Sequence, residues 1–382
     1  MASPRRAAIV GVAESDLGRT PDKTVLQLQA QAARAALDDA GLAFADVDAL
    51  FGAGNWAWSP NLMLAEYLGI QPRYTDSTNI GGASFEAHIG HALAGIEAGL
   101  FEVALITYGS TQRSDRSRQR APAAFKLTEQ FEPLFGLPTP VGAYALAAMR
   151  HMHEYGTTSE QLAEVAVATR KWAVMNEKAM MREPISIDDV LNSRWVAEPL
   201  HLLDCCLVTD GGGAVVVASA DRAHSTRKPP VWILGHGESH THNTIANMPD
   251  LASHRSAITS GKAAFTMAGL TPADIDVAEI YDSFTITVVM TLEALGFCAP
   301  GEGGAFVSGQ RTAPGGPFPM NTNGGGLSYC HPGMYGIFLL IEATRQLRGE
   351  CAARQVEGAR VALAHGTGGV LSSAATVILG KD

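Results

Sequence analysis

The segment AGLAFADVDALF, residues 40–51, decides the fold because it returns later in the chain as AGLTPADIDVAEI, residues 268–280. A second pair, VALITYGS at residues 103–110 and VALAHGTG at residues 361–368, keeps the same order. Self-similarity over so long a distance indicates that one structural unit is used twice. We therefore predict two related halves.

The halves also share a glycine pair between their repeated segments, Gly81-Gly82 in the first and Gly324-Gly325 in the second. We place the boundary so that residues 1–228 form the N-terminal half and residues 229–382 the C-terminal half. The stretch from about 110 to 194 has no counterpart, and we interpret it as an insertion whose loops cover a site, because long connections are often lids. A merely structural helical excursion is the alternative interpretation.

Helices and strands alternate within each half. Thr24 and Gln27 have the spacing of a capping box, and Gly41 suits a left-handed helix end, which predicts a helix over about residues 25–40. Short apolar runs with β-branched residues predict buried strands, namely AAIVGV, VALITYG, GAVVVAS and RVALAHG. Together they predict an α/β fold built of layered helices and mixed sheets.

The composition favours a large folded protein that binds small molecules or other proteins. The chain has 382 residues, 46% of them hydrophobic and 17% charged, with a formal net charge of -10. Because binding to a phosphate backbone needs clustered lysine and arginine, no nucleic-acid partner is expected. The one basic cluster, RSDRSRQR at residues 113–120, is interpreted as a solvated loop, with a binding patch as the alternative.

The cysteines and the hydropathy pattern indicate the compartment. The cysteines are odd in number and lack CxxC spacing, which argues against a disulfide framework and a zinc ribbon; they are Cys205, Cys206, Cys298, Cys330 and Cys351. No charged-then-apolar leader opens the sequence, and no apolar run approaches the roughly 18 residues of a membrane span. We expect a cytoplasmic protein without a membrane span.

Four motifs resemble those of the thiolase superfamily. CHPGMYG, residues 330–336, is similar to G-H-P-x-G-x-x-G; AEIYDSF, residues 278–284, to E-x-N-E-A-F or E-x-H-D-C-F. HGTGG, residues 365–369, is similar to C-x-G-G-G, and PLHLLDCCLVTDGGGAVVVAS, from Pro199, to D-C-S-P-V-S-D-G-A-A-A. The resemblance covers nearly the whole chain and is nearest to thiolase-like proteins of the sterol-carrier and lipid-transfer-protein type.

The resemblance implies the thiolase fold, in which two related βαβαβαββ halves form a layered α-β-α-β-α sandwich. It also implies a homodimer, which we expect to form through the strand near Val103, since two-fold dimers are the commonest assembly. Relatives of the lipid-transfer type usually work with a small zinc-ribbon and OB-fold protein. We therefore expect a heteromer with a separate partner of this kind.

The sequence departs from the thiolase pattern where the nucleophile should be. Thiolases place a cysteine at a helix N-terminus in V-N-x-x-C-A-S-G, where the helix dipole favours a thiolate. Here the matching stretch is TNIGGASFEA, and the position falls on Gly82. The second catalytic cysteine of the family falls on His365, and the Asn or His of its oxyanion hole falls on Tyr281. The third catalytic position is retained as His331.

Two nearby residues are candidates to replace the missing nucleophile. Ser84 has no obvious paired base, and a role as a helix cap is the ordinary interpretation. Cys330 adjoins His331, but a buried free cysteine commonly behaves as a small apolar residue. Covalent catalysis is therefore disfavoured, and a thiolase-type acyltransferase with a relocated nucleophile is kept as an alternative function.

The remaining polar groups match three catalytic positions of the family. His331 precedes a helix N-terminus, so it is expected to stay neutral and to donate to a thioester oxygen. Tyr281 is expected to be a second donor or to accept a proton from a β-hydroxyl, and His365 to be a general acid or base. Tyr329 and Tyr335 are further candidates that shape or assist the site.

Other residues are candidates for backbone or substrate contacts. Gly82 and Gly368 are expected to supply backbone groups at the oxyanion site, and His240 to lie in a loop lining the acyl-CoA pocket. Ser260 is expected near the pantetheine, with a helix cap as an equal explanation. The spacing of His236, His240 and His242 could bind a metal, but we predict no metal, since no carboxylate or second-shell partner is evident.

This set of groups fits carbon–carbon bond chemistry without an acyl-enzyme. The predicted reaction is retro-aldol cleavage of a 3-hydroxyacyl-CoA, with release of acetyl-CoA or propionyl-CoA, or the reverse aldol. No cofactor is expected beyond the CoA thioester substrate, whose nucleotide the basic cluster would serve. The acyl chain, steroid, aromatic or short, is left open, and a non-catalytic scaffold subunit is the third alternative.

Overall fold

Strands and helices alternate along the part of the chain that the computed structural model describes, residues 6–54, 56–115 and 132–381. The strands are β1 (Ala7–Glu14), β2 (Ala49–Gly52), β3 (Tyr74–Asp76), β4 (Val103–Ser110), β5 (Trp195–Ala197), β6 (Leu200–His201), β7 (Gly211–Ser219), β8 (Val231–His240), β9 (Val277–Ile280), β10 (Val361–Gly368) and β11 (Ser373–Gly380). The helices are α1 (Val25–Ala40), α2 (Pro60–Leu68), α3 (Ser84–Glu97), α4 (Val141–Tyr155), α5 (Ser159–Val174), α6 (Ile187–Leu191), α7 (Ala220–Ala223), α8 (Arg255–Ala268), α9 (Thr285–Ala294), α10 (Gly303–Val307) and α11 (Gly336–Arg348).

The predicted elements are present. Helix α1 begins after Thr24, which forms the capping box with Gln27, and ends at Gly41, whose φ of 74° is left-handed. Each of the four apolar runs lies in a strand, β1, β4, β7 and β10. The helix and strand predictions are therefore confirmed.

The repeated segments fold alike because their aspartates make the same hydrogen bonds. In the first copy, Asp48 accepts from the backbone amides of Glu102 and Val103 at 2.9 and 3.2 Å. In the second copy, Asp276 accepts from the amides of Arg360 and Val361 at 2.8 and 2.9 Å. Each aspartate thus joins the repeated turn to the strand that its half contributes later in the chain.

A pair of equivalent glycines brings each outer helix onto its strand. A Cβ added at Gly11 in β1 would lie 2.1 Å from the carbonyl oxygen of Ala36 in α1. A Cβ added at Gly235 in β8 would lie 2.1 Å from the carbonyl oxygen of Ala264 in α8. Contact at backbone distance leaves no room for a side chain, so both halves use glycine at this crossing.

The strand order reflects the repeat. The described strands form a nine-stranded sheet in the order β3-β2-β4-β7-β1-β8-β11-β10-β9. Strands β1 and β8 join the halves through two residue pairs, Ala8 with Trp232 and Ile9 with Val231. Beyond β9, a parallel bridge between Ala278 and Met320 occupies the place that β3 has in the first half.

Two helices lie between the halves of the sheet. Helix α3 contacts β4 and β7 of the first half and β8, β10 and β11 of the second, while α11 contacts β1 and β7 as well as β9 and β10. Nearly all side chains of α11 are buried, as expected for a helix enclosed on all sides. Helices α1 and α8 pack on the outer faces. This arrangement confirms the predicted five layers, α-β-α-β-α.

The insertion contributes helices that reach the C-terminal half. Residues 116–131, which include the end of the basic cluster, lie outside the described residues. From α4, the Tyr144 hydroxyl donates to the carbonyl oxygen of Gly369 at 2.9 Å. From α5, Arg170 Nε donates to Ser328 Oγ at 2.8 Å. The insertion therefore contacts the HGTGG motif and the segment that directly precedes CHPGMYG.

The expected dimer strand is not available for pairing. Strand β4, which begins at Val103, is hydrogen-bonded to β2 on one side and to β7 on the other. Its backbone groups are engaged within the sheet, so the expectation that a dimer forms through this strand is wrong. The edge strand of the first half is β3. Among the described residues, no helix combines the length and apolarity that crossing a bilayer requires.

His91 on α3 links the two halves through charge. Its Nδ1 lies 2.6 Å from Asp76 in β3, and its Nε2 lies 3.4 Å from Glu238 in β8. Hydrogen bonds to Asp76 and to Glu238 raise the pKa of His91 to about 9. The protonated ring is therefore shared between two carboxylates of different halves.

We expect this contact to make stability pH-dependent. Because the folded-state pKa of His91 lies above its ordinary value of 6.5, its contribution is complete below about pH 6.5 and is lost as pH rises through 9. Urea unfolding of the wild type and of His91→Gln should differ by on the order of 1 kcal/mol at pH 6 and converge by pH 10, since solvent screens a partly exposed pair. A difference independent of pH would contradict this prediction.

Candidate active site

Tyr281 and His331 form a hydrogen-bonded pair. Tyr281 directly follows β9, and His331 lies in the loop before α11. The Tyr281 hydroxyl oxygen is 2.9 Å from His331 Nε2, and the rings meet edge to face with centroids 5.7 Å apart. Both side chains are almost fully buried. One proton can thus be held at either atom of the pair.

The N-terminus of α11 supports the Tyr281 oxygen. The backbone N–H of Tyr335, which caps α11, donates to the Tyr281 hydroxyl oxygen at 3.0 Å. A helix N-terminus favours negative charge through its free amides and dipole. The hydroxyl and His331 Nε2 share a second hydrogen bond, in which the tyrosine donates when Nε2 is the unprotonated nitrogen of the imidazole. The arrangement suits transfer of the phenolic proton to the imidazole.

The Tyr281 ring occupies the space of a side chain at position 82. A Cβ added at Gly82 would lie 2.2 Å from Tyr281 Cε2, 2.5 Å from Tyr281 Cζ and 2.6 Å from the carbonyl oxygen of Thr367. No cysteine fits at Gly82 while the tyrosine is in place. The phenol therefore stands where the resemblance locates a nucleophilic sulfur.

Two glycine turns from opposite halves meet beside this pair. A Cβ at Gly368 would lie 1.7 Å from the carbonyl oxygen of Ile80, and one at Gly81 would lie 2.8 Å from the amide nitrogen of Gly369. The turns pack backbone against backbone, which explains why glycine occurs at both. The roles predicted for Gly82 and Gly368 as backbone groups at an oxyanion site stay predictions.

Known proteins resemble this chain in sequence and in fold. Residues 237–381 match the family described as thiolase C-terminal domain-like. The steroid side-chain-cleaving aldolase of Thermomonospora curvata is 36% identical over 401 aligned positions, which cover 99% of each chain. The chain belongs to the thiolase superfamily.

Other superfamily members differ in activity. An acetyl-CoA acetyltransferase of Methanothermobacter thermautotrophicus is 32% identical over 99% of this chain and 100% of its own. A solved structure described as an Ltp2-ChsH2(DUF35) aldolase superposes with a TM-score of 0.92 and 34% identity, covering 99% of this chain and 98% of that one. Because the superfamily includes both aldolases and acyltransferases, membership alone does not decide the activity of this thiolase-like chain. The residues of its site have to decide it.

His365 faces away from the pair, which corrects its predicted place. In the β9–β10 ladder His365 is opposite Ile280, while Ala364 is opposite Glu279. Because side chains alternate along a strand, His365 shares a face with Ile280, and Tyr281 lies on the other face. The His365 ring meets the His254 ring instead, with centroids 5.9 Å apart. The register thus separates His365 from the other two predicted groups.

The surroundings of His365 explain its burial. Its Nδ1 lies 2.8 Å from Thr376 Oγ1, and burial lowers the pKa of His365 to about 3. Ser260 belongs to the same cluster, with its Oγ 3.0 Å from Thr376 Oγ1 and no exposure to solvent. Ser260 is thus buried within this cluster, and its contact with pantetheine stays a prediction.

The alternative nucleophiles are not activated. Cys330 is fully buried, and burial, together with the negative charges of Glu14 and Asp282, raises the pKa of its thiol well above the usual value. Ser84 Oγ donates to the Gly81 carbonyl at 2.6 Å and accepts from the Ile80 amide at 3.0 Å. The serine closes its own turn. Neither residue has the thiolate or the paired base that covalent catalysis needs.

The two candidate tyrosines have different places. The Tyr329 hydroxyl donates to Glu14 at 2.9 Å, in a buried ion pair that Arg345 completes, so it serves the fold. Tyr335 belongs to the site: its ring is parallel to that of His331, with centroids 6.1 Å apart, and its amide binds Tyr281. Its hydroxyl donates to Asn323 at 2.8 Å. Tyr335 therefore assists mainly through its backbone and ring face.

The three histidines of GHGESHTHN do not converge. His236 is half-buried and packs against Gly90, where an added Cβ would lie 2.1 Å from its ring. His242 Nε2 lies 2.9 Å from the carbonyl oxygen of Val370. His240 ends β8 and is exposed. Across the described ranges, no three His, Cys, Asp or Glu side chains are grouped so that they could hold a metal ion. The substrate contact proposed for His240 stays a prediction.

Two buried carboxyl groups near the pair were missed by the sequence analysis. Asp282 accepts from the amides of Gly326 and Leu327 at 2.6 and 3.1 Å, and burial raises its pKa to about 7. It anchors the turn that leads to His331, and its position directly after Tyr281 was the available signal. Glu86, on the first turn of α3, is also fully buried. Nothing in its local sequence indicates that Gly336 and Gly366, from distant parts of the chain, enclose its carboxyl group.

We expect substitution at Gly82 to depend on Tyr281. Gly82→Ala should lower the free energy of unfolding by about 1–3 kcal/mol, because the new methyl group overpacks the ring. In a Tyr281→Ala background the same change should cost about half as much, since the two ring atoms are gone and only the Thr367 carbonyl oxygen still crowds the methyl group. Urea unfolding of the two single variants, the double variant and the wild type measures this coupling. Additive effects would show that the ring is not the obstacle.

Proposed function

We propose that this thiolase-like chain is an acyl-CoA carbon–carbon lyase that cleaves a 3-hydroxyacyl-CoA by a retro-aldol reaction, or runs the reverse aldol. The observation that carries the proposal is the Tyr281 ring in the space of the missing nucleophile at Gly82. A phenol hydrogen-bonded to an imidazole moves protons, whereas thiolysis needs a covalent acyl-enzyme. The aldolase relatives support the same choice.

The pair supplies the base of the reaction. Tyr281 gives its proton to His331, and the helix amide of Tyr335 stabilises the charge left on oxygen. The phenolate then takes the proton of the substrate's β-hydroxyl. The carbonyl forms at that carbon, the bond between the α and β carbons breaks, and its electron pair passes into the thioester as an enolate.

This assignment revises the role expected for His331. Its Nε2 lies 2.9 Å from the Tyr281 hydroxyl oxygen, so His331 acts on the phenol. The two residues therefore do not serve as two separate donors to the thioester oxygen. The two residues work as one unit, and their contributions are therefore not additive. The acyltransferase alternative is disfavoured because neither of its candidate nucleophiles, Cys330 and Ser84, is activated.

The substrate class follows from the relatives and from the site. We propose an acyl-CoA with a 3-hydroxyl group, with a steroid side chain as the first class to test, because one aldolase relative is described as steroid side-chain-cleaving. Release of acetyl-CoA or propionyl-CoA completes the reaction. The proposal requires no cofactor besides the CoA of the substrate. A cytoplasmic location is part of it and is supported by the five free cysteines.

Removing the phenolic oxygen should abolish most of the activity. Tyr281→Phe keeps the ring against Gly82 but cannot exchange a proton, so kcat/KM for 3-hydroxyacyl-CoA cleavage should fall by about 100-fold or more. Tyr155→Phe, at the exposed C-terminal end of α4, is the matched control. Carbonyl product and acyl-CoA are quantified by mass spectrometry.

The same assay tests the covalent alternative. Cys330→Ala and Ser84→Ala should leave the rate of cleavage within about tenfold, since neither group takes part in the chemistry. Intact-protein mass spectra after mixing with acetyl-CoA should show no acyl adduct. A stable adduct on either residue, or full activity in Tyr281→Phe, would overturn the lyase proposal.

We propose a homodimer that pairs through the edge strand β3. In the described sheet β3 bonds to β2 alone, and exposed apolar side chains of α2, Leu62, Met63 and Tyr67, lie on the neighbouring helix. An open edge with apolar cover is a surface for strand pairing. Light scattering should give a dimer for the wild type and a monomer for Thr75→Lys, which places a charge on the edge. An unchanged dimer would contradict the proposed interface.

A heteromer with a small zinc-ribbon and OB-fold protein is the second proposed assembly. One similar solved structure is described as a complex of an aldolase with a DUF35 protein. The test is to measure cleavage by the purified chain with and without a candidate partner of this type. Stimulation of turnover together with co-elution would support the complex, and independence from the partner would contradict it.

A further inference from the structure

The carboxyl group of Glu86 lies in a niche that is open because the residues around it are glycines. A Cβ added at Gly366 would lie 2.2 Å from Glu86 Oε2, and one added at Gly336 would lie 2.3 Å from the same oxygen. The Gly336 position is also 2.3 Å from the carbonyl oxygen of Gly82. The carboxyl group is thus enclosed by β10, the start of α11 and the turn that faces the Tyr281 ring.

This carboxyl group is unusual for a buried acid. Within the described residues, neither oxygen has a hydrogen-bond partner outside Glu86 itself, and the side chain has no exposure. Burial raises the pKa of Glu86 to about 8, so the group carries a proton at neutral pH. An unpaired buried acid lowers the stability of the fold, and a residue with a purely structural role rarely does so.

The strand register explains why the niche adjoins the pair. Gly366 is two residues after Ala364 in β10, so both face the same side of the sheet. Ala364 belongs to the same core cluster as Tyr281. Gly366 therefore faces the central layer, where α3 carries Glu86. Gly82 and Gly336 supply the other walls. The Tyr335 amide, one residue before Gly336, binds the Tyr281 oxygen. The acid and the phenol therefore lie on two sides of the same glycine turn and helix N-terminus.

The retro-aldol reaction needs such an acid. After the bond breaks, the electron pair sits in the thioester enolate, and the α carbon must receive a proton before acetyl-CoA or propionyl-CoA can leave. The Tyr281–His331 pair has just accepted a proton from the β-hydroxyl. A second group that holds a proton close by would let both transfers occur without solvent entering the site.

We propose that Glu86 is the general acid that protonates the α carbon of the enolate, and the base that removes this proton in the aldol direction. This assignment rests on the proposed lyase function. In the balanced step, the O–H bond of Glu86 breaks and a C–H bond forms at the α carbon, which consumes the enolate and leaves a carboxylate. The proton held by the Tyr281–His331 pair returns to Glu86 after product release, so no external oxidant or reductant is needed.

Hydrogen exchange at the α carbon tests the assignment apart from cleavage. Wild-type protein in D₂O should exchange the α hydrogens of acetyl-CoA and propionyl-CoA, followed by mass spectrometry. Glu86→Gln keeps the shape of the side chain but has no transferable proton, so exchange should fall by about 100-fold or more. Single-turnover release of the carbonyl product should stay within about tenfold of the wild type, because the bond breaks before Glu86 acts. Glu97→Gln, at the exposed end of the same helix, is the matched control.

The outcomes separate this inference from the lyase proposal. A structural role would lower exchange and carbonyl release together, and exchange retained in Glu86→Gln would overturn the assignment outright. Loss of exchange in Glu86→Gln, in a protein that cleaves no 3-hydroxyacyl-CoA, would keep the acid–base role and reject the lyase reaction. If Glu86→Gln fails to fold, Glu86→Asp is used: its ratio of exchange to carbonyl release should fall, and an unchanged ratio would overturn the proposal.

Discussion

The close approach of two backbone turns, one from each half, is the constraint on which the site depends. The turn at Ile80–Gly82 and the turn at Gly366–Gly369 touch without intervening side chains, to the point that a Cβ at Gly368 would overlap the carbonyl oxygen of Ile80. Only glycine permits this distance. Because the turns belong to different halves, the contact forms only when both halves are folded and aligned, and the groups around it are placed by the whole fold.

The glycines at this contact have no side chains, and neighbouring side chains fill the space that is left. The Tyr281 ring occupies the position of a side chain at Gly82, and the Glu86 carboxyl group occupies the position of one at Gly366. The site thus holds a phenol at the position of a Gly82 side chain and a carboxylic acid at the position of a Gly366 side chain. Both groups exchange protons, and neither is suited to hold an acyl group as a thioester. The change from covalent to proton-transfer chemistry is therefore built from glycines as much as from the acids themselves.

The alternation of side chains along each strand decides which residues face the site. His365 and Gly366 are adjacent in β10, yet one faces the outer layer beside Thr376 and the other faces the central layer beside Glu86. Two adjacent residues of a strand face opposite layers, since side chains alternate with a period of two. A polar residue next to a motif is a poor guide to chemistry unless the strand that carries it has been registered against its neighbours.

The sequence by itself determined the local structure and the absence of a nucleophile. Capping at Thr24, the apolar runs and the repeated AGL segments are signals over short distances, so the helix from Val25, the strands and the two halves were predictable. The pairing of Tyr281 with His331 followed from motifs in part. Only the tertiary structure decided that Gly336 and Gly366 enclose the Glu86 carboxyl group and that His365 faces away from Tyr281, because those positions depend on packing between layers and on register, which no local pattern encodes.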